Sequence, residues 1–89
     1  MLARLAIVAS RIRGLLLGAP QRMLVIDRGR GHGIRVGQRL TVFHERVGGR
    51  GPVVLGDAVV VAVRSDSATI RVQHATEVIA VGDSAAPQR

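Results

Sequence analysis

The spacing of apolar residues after Pro20 constrains the fold most strongly, because they recur in short runs separated by glycine-containing turns. Residues 39–44 (RLTVFH) and 68–73 (ATIRVQ) alternate with a period of two, as half-buried strands do. The same signals predict five strands, at residues 22–27, 39–44, 53–64, 68–73 and 77–81. Since no helical pattern follows residue 20, the predicted fold class is all-β, a small five-stranded barrel or sandwich.

The strongest strand signal is residues 53–64 (VVLGDAVVVAVR), which are dense in β-branched valine. Gly56–Asp57 interrupts this run as a β-bulge or bend would. The segment Ala58–Val63 is apolar on both strand faces, so we expect a central strand there. An exposed strand of this composition would promote aggregation, and closing the sheet into a barrel removes the open edges.

Glycines mark the predicted corners of the fold. They supply backbone positions that can take positive φ or turn tightly, which β-branched residues tolerate poorly. The candidate structural turns are Gly29, Gly33, Gly37, Gly56 and Gly82.

Residues 1–19 (MLARLAIVASRIRGLLLGA) fit no single class. Their helical amphipathic stripe is poor, and Arg11 interrupts the apolar stretch too early for a clear signal peptide. Three arginines are costly in a membrane span. Three alternatives remain: a short helix on the flank of the barrel, an interfacial helix on a membrane surface, or a segment belonging to a longer chain. We therefore divide the chain into a helical or irregular N-terminal segment (1–19), a barrel domain (20–84) and a polar tail (85–89).

The charge balance is strongly basic. Thirteen basic residues, all arginine, stand against six acidic ones, giving a net charge of +7. This favours a polyanion partner, unless the arginines reflect a GC-rich coding bias. The candidate polyanion contacts are Arg28, Arg30 and Arg50, which lie among the turn glycines. The single aromatic residue, Phe43, provides little surface for stacking nucleic-acid bases.

No catalytic or metal-binding pattern is apparent in the chain. The absence of cysteine excludes disulfides, thiolate zinc ligands and cysteine nucleophiles. The run Gly29–Gly33 matches neither a dinucleotide-binding nor a Walker motif. The histidines, His32, His44 and His74, lack the spacing of a ligand pair, and the carboxylates are scattered beside turns. We therefore predict a protein that is not an enzyme, with no catalytic residue, cofactor or metal.

A longer pattern runs through most of the chain: Val25-Ile26-Asp27-x-Gly29-x-x-x-Gly33-Ile34-x-x-Gly37-x-x-Leu40-x-Val42, ending with Val78-x-x-Val81-Gly82-Asp83. Over roughly residues 23–83 it resembles a small β-barrel module of bacterial cell-envelope proteins. Such modules form the C-terminal domain of the flagellar-assembly protein FlgT and follow lysin-motif (LysM) domains, and the barrel of the rod-shape protein MreC opens comparably. The resemblance implies that the glycines are architectural and that Ile34 plugs the end of the barrel.

The resemblance also implies a periplasmic or cell-envelope location and a non-enzymatic role in assembly or anchoring. It carries over no peptidoglycan binding, because the chain has no lysin-motif domain. The leading functional hypothesis is an accessory module that acts through protein–protein contacts, with a protein partner or a larger parent chain. The alternative is a basic small barrel that binds nucleic acid through its arginine-rich turns. A membrane surface is a further partner if residues 1–19 form an interfacial helix.

Overall fold

A computed structural model describes residues 5–16, 19–45 and 51–88. They form a closed antiparallel barrel in which neighbouring strands follow the order β1-β2-β5-β4-β3-β6. The strands are β1 (Leu5–Leu16), β2 (Ala19–Ile26), β3 (Arg39–His44), β4 (Val53–Val63), β5 (Ala68–Ala75) and β6 (Ser84–Pro87). The predicted all-β small barrel is confirmed, with six strands rather than five among the described residues.

The barrel interior is filled by aliphatic side chains from alternate positions of each strand. On β3, Leu40 and Val42 are buried, and on β5 the same holds for Ala68 and Ile70. Fully burying a side chain of this kind contributes about 1.5–3 kcal/mol relative to leaving it exposed. The buried core residues are Leu5, Ile7, Leu24, Ile26, Ile34, Leu40, Val42, Leu55, Ala58, Val60, Ala68, Ile70, Ile79 and Ala85.

The N-terminal segment differs from its prediction. Residues 5–16 form strand β1 and Ala19 begins β2, so the expected helix or irregular segment, including an interfacial helix, is wrong for this part of the chain. Leu5 and Ile7 are buried in the core, and β1 pairs with both β2 and β6. Pairing on both sides satisfies the backbone groups at the start of β1, which explains how a segment with a poor helical stripe becomes ordered there.

The C-terminal prediction also needs correction. The last strand is β6 at Ser84–Pro87, not residues 77–81, and it occupies most of what we expected to be a polar tail. It pairs with β1 and β3 and thereby closes the barrel. Residues 77–81 instead belong to the loop that precedes β6, since the Asp83 carboxylate accepts a 2.8 Å hydrogen bond from the Ala80 N–H and folds this stretch into a turn.

The expected interruption of β4 is present. The β3–β4 pairing shifts register between Val42 and Phe43, and the β4–β5 pairing shifts between Asp57 and Ala58. Gly56 lies within this irregular stretch, and a Cβ there would come within 2.1 Å of the His74 carbonyl oxygen. The close approach of β5 therefore requires glycine at this position.

The β1–β2 hairpin is longer than the strands beside it. β1 pairs with β6 only at Leu5 and Ala6, and β2 pairs with β5 only over residues 23–26. The two strands nevertheless remain paired with each other as far as Leu16 and Ala19. Residues 9–16 and 19–22 therefore form a two-stranded extension of the barrel, called here the β1–β2 ribbon.

Candidate functional site

The glycine-rich turn after β2 docks onto the turn between β4 and β5. The Arg30 N–H donates to the Arg64 carbonyl (2.7 Å) and the Gly31 N–H to the Ser65 carbonyl (3.0 Å). A Cβ on Gly29 would lie 2.2 Å from the Arg64 oxygen, so the close approach itself requires glycine. Gly33 has φ of +85° in this turn. Because its donors are engaged by backbone carbonyls, this turn offers no free set of N–H groups for an anion.

Two of the three candidate polyanion contacts lie within the described residues, and each has a backbone carbonyl partner. The Arg28 guanidinium lies 3.0 Å from the Asp27 carbonyl and 3.4 Å from its carboxylate, so a neighbouring charge partly neutralises it. The Arg30 guanidinium lies 3.4 Å from the Val63 carbonyl. Arg50 lies outside the described residues.

A different pair of arginines is brought together on the outer face of the barrel. Arg39 on β3 and Arg71 on β5 both pair with Val59 on β4, one from each side. Adjacent strands are about 4.8 Å apart, which places the two Cα atoms roughly 10 Å from each other. Within the described part of the chain, neither guanidinium has a hydrogen bond or an ion pair. We call Arg39, Val59 and Arg71 the basic row.

Two histidines and two carboxylates have structural partners, whereas Asp57 Oδ1 is buried without a hydrogen-bond partner among the described residues. His44 Nδ1 lies 2.7 Å from Asp83 Oδ1, and the other oxygen of this buried carboxylate bonds the Ala80 N–H. His32 Nδ1 accepts from the Gly29 N–H. Asp27 Oδ1 accepts from the Ala6 N–H at 2.9 Å. In the described ranges no three such side chains converge in a way that could hold a metal ion.

The loop before β6 covers one end of the barrel. This loop, residues 76–83, is called here the end loop. Its Ile79 is fully buried, and the Ile79 carbonyl accepts a hydrogen bond from the Arg22 guanidinium of β2. The Gly82 N–H donates to the Ile7 carbonyl, and the Ile7 N–H donates to the Asp83 carbonyl, both at 2.9 Å. The end loop is therefore held in place by β1, β2 and β3.

A shallow groove separates the end loop from strands β3 and β4. Apolar atoms supply most of its surface, and the His44–Asp83 pair lies at its border. The residues that line it are His44, Val53, Leu55, Glu77, Val78, Ala80 and Asp83.

Two exposed valines lie on the end loop, one of them lining this groove. Val78 is 82% exposed and Val81 is 58% exposed, although both are apolar. Val54 and Val8 are also exposed, the first beside the groove on β4 and the second on β1. Val36, in the loop before β3, is also exposed, but it lies toward the opposite end of the barrel. Val8 on β1 and Val54 on β4 lie three strands apart in the closed six-strand order, and so on opposite sides of the barrel. We define the valine surface as Val78 and Val81 of the end loop.

Sequence reasoning does not identify the valine surface or the basic row. The pattern Val78-x-x-Val81-Gly82-Asp83 contains both valines, but the sequence predicts a strand at residues 77–81, whose side chains would alternate between core and solvent. The buried Asp83, next to Gly82 with φ of +101°, marks the turn that exposes these valines. Arg39 and Arg71 are far apart along the chain, so only the strand register brings them together.

No helix within the described ranges is long and apolar enough to cross a membrane. In comparisons with known proteins, no family model, no curated protein and no solved structure matches the chain. The closed small barrel agrees with the resemblance given above at the level of architecture.

Proposed function

We propose that this protein is a non-catalytic accessory module of a bacterial cell-envelope protein and that it acts through protein–protein contacts at the end-loop side of the barrel. The observation that carries the proposal is the valine surface, which borders an apolar groove on a rigidly bonded loop. Exposed apolar patches on soluble domains mark interaction sites when they are contiguous. The cell-envelope context comes from the glycine–strand pattern of the sequence.

The bonding of the end loop favours a preformed surface. Its backbone is tied to Ile7 by two hydrogen bonds, and Ile79 anchors it in the core. A partner that docks on Val78 and Val81 would therefore lose little free energy to ordering the loop, since preorganisation lowers the entropic cost of association. Asp27, His32 and His44 serve backbone and loop contacts, which supports a structural role for these three side chains.

Site-specific photo-crosslinking in the bacterial host tests the proposal. A photoreactive residue at position 78 should crosslink to one reproducible envelope protein, whereas the same residue at the exposed position 36 should not. The Val78→Ser/Val81→Ser double variant should then lose co-purification of that protein, and Val36→Ser should retain it. Equal crosslinking from both positions, or unchanged co-purification of the double variant, would show that the valine surface is not the interface.

A second candidate function, nucleic-acid binding, is favoured by the basic row and the net charge of +7. It requires affinity for an oligonucleotide that falls steeply with salt, because each neutralised phosphate releases counterions. The Arg39→Gln/Arg71→Gln variant should then lower the slope of log K against log salt by about 1.4–1.8. If a thymidine oligonucleotide does not bind at low salt, this candidate is eliminated.

A further inference from the structure

Among the residues that the structure describes, no strand lies beside one long edge of the β1–β2 ribbon. On the side of β1 that faces away from β2, Ile7 bonds Gly82 and Asp83 of the end loop. Residues 9–16 continue as strand, paired with β2 alone. Within the described ranges, no other strand pairs with this part of β1.

An open edge of this length is able to accept another strand. The β1–β2 pairing shifts register between Ile7 and Ala9 and between Arg13 and Leu15, so the regular part of the open edge is residues 9–13. Alternate residues of an antiparallel strand direct both backbone N–H and C=O groups to the same side, so this part presents these groups from roughly two or three residues. Proteins usually shorten, cover or bulge such an edge to prevent unwanted pairing. Here the register shifts lie at the two ends of the open stretch, and residues 9–13 between them remain regularly paired with β2 alone.

The open edge begins beside the valine surface. Val8 and Val81 are the chain neighbours of Ile7 and Gly82, whose backbone bond holds the end loop against β1. Val8 is 50% exposed. A strand added along residues 9–16 would therefore meet apolar side chains where it approaches the barrel, which would add buried area to the backbone hydrogen bonds.

The charge of this region indicates which strand would fit. Residues 1–26 contain Arg4, Arg11, Arg13 and Arg22 but no aspartate or glutamate. Pairing between residues 9–16 of two copies would bring four arginines together without a carboxylate, and like charges on paired strands are destabilising. A strand that carries carboxylates would gain from the same arginines.

We propose that the open edge of β1 at residues 9–16 binds an extended acidic segment of a partner protein as an additional antiparallel or parallel strand. The proposal rests on the proposed function and names the chemistry of its partner. Backbone hydrogen bonds supply the affinity, the positive charge of this part of the sequence favours a negatively charged segment, and Val8 with Val81 contact its apolar residues.

Synthetic peptides test the proposal against the full chain. The probe is a fluorescent, end-blocked peptide of alternating Glu and Val residues, matched in length to residues 9–16. It should bind, and a peptide with Lys in place of Glu should bind at least about tenfold more weakly. A Glu/Val peptide that is N-methylated at every amide keeps the charge but lacks backbone donors, and it should also lose at least about tenfold. Equal binding of the N-methylated peptide would overturn strand addition.

Two further measurements locate the site. Amide hydrogen exchange in residues 9–16 should slow when the Glu/Val peptide is bound, while exchange in β4 should not change. The Arg11→Glu/Arg13→Glu variant should lose peptide binding. The control, Arg35→Glu/Arg64→Glu, makes the same change in net charge at exposed residues near the other end and should retain it. If the bound peptide slowed amide hydrogen exchange at Arg39, Val59 and Arg71 instead of in residues 9–16, the proposal would be overturned.

The outcomes distinguish this proposal from the proposed function. If position 78 crosslinks to an envelope partner but the Glu/Val peptide does not bind, the interaction surface is correct and strand addition is wrong. If the isolated protein dimerises and dimerisation slows amide hydrogen exchange in residues 9–16, the edge is occupied by a second copy, and the acidic partner is excluded.

Discussion

Ile34 and Ile79 close opposite ends of the barrel, each from a loop rather than from a strand. Ile34 follows the glycine-rich turn and is 4% exposed, whereas Ile79 lies in the end loop and is fully buried. Both belong to the single aliphatic core. In a small barrel the strands line the interior but leave its two ends open to water, so a side chain from a connecting loop is needed to exclude solvent there.

Removal of the Ile79 plug should destabilise the whole domain. Ile79→Ala deletes a fully buried side chain and should lower the free energy of unfolding by about 2–5 kcal/mol, measured by urea denaturation. The adjacent Val78→Ala is the control, since that side chain is exposed and its loss should cost about 0.5 kcal/mol or less. Similar losses for the two variants would mean that Ile79 does not seal the barrel end.

The cost of replacing Gly33 should come from its backbone conformation rather than from a steric clash of the new side chain. Gly33 has φ of +85°, and a Cβ added there would have no neighbouring atom within 4 Å. Gly33→Val should therefore cost well over about 1 kcal/mol of unfolding free energy through strain alone. Gly33→Asn should cost less, because asparagine tolerates the left-handed region. An unchanged melting midpoint for the valine variant would contradict the assigned conformation.

Substitution of Gly29 should disturb the glycine-rich turn for a different reason. Its φ of −140° suits any residue, but a Cβ would lie 2.2 Å from the Arg64 carbonyl oxygen. Gly29→Ala should therefore push the glycine-rich turn away from the β4–β5 turn and weaken the Arg30 and Gly31 backbone bonds. Faster amide hydrogen exchange at these two residues would report the change. Gly29→Asn should disturb the turn as much as Gly29→Ala does, because its Cβ meets the same oxygen. At position 33, by contrast, asparagine should be tolerated better than valine.

Strand β1 should be required for folding. The sequence analysis places residues 1–19 outside the barrel domain, whereas the structure makes β1 one of the barrel strands. A chain beginning at residue 17 would lose two core residues, Leu5 and Ile7, and would leave β2 and β6 without their shared neighbour. Circular dichroism and the dispersion of amide resonances should show an unfolded chain. Ile7→Ala should destabilise the full protein, whereas the half-exposed Val8→Ala should change it little.

The His44–Asp83 pair should be asymmetric in its contribution to stability. Asp83→Ala removes a buried carboxylate and leaves the Ala80 N–H without its acceptor, which should cost about 1–3 kcal/mol in urea denaturation. His44→Ala should cost less, since its side chain is 59% exposed and the Asp83–Ala80 bond remains. If the histidine variant were the more destabilised of the two, the end loop would depend on His44 rather than on the Asp83 turn.

The strands that could be predicted from the sequence are those with different environments on their two faces. Strand β3 begins and ends at the residues expected, and β5 begins at Ala68 with its alternating burial as expected. The interruption at Gly56–Asp57 and the all-β class were also correct. Each of these features is encoded within a few neighbouring residues, by side-chain alternation or by glycine, so a local pattern was sufficient.

The remaining features depend on residues that are distant in the chain. Nothing in Ser84–Pro87 resembles a strand locally, yet the barrel needs a strand between β1 and β3, and the small Ala85 side chain fits the core there. The same holds for β1, whose burial of Leu5 and Ile7 follows from pairing rather than from its own periodicity. The valine surface and the basic row arise in the same way, from a turn at Asp83 and from the register across β4. Local sequence therefore determined where the chain can extend and turn, whereas barrel closure decided which strands pair and which apolar side chains remain in water, because backbone hydrogen bonding and core volume are satisfied only by the whole chain together.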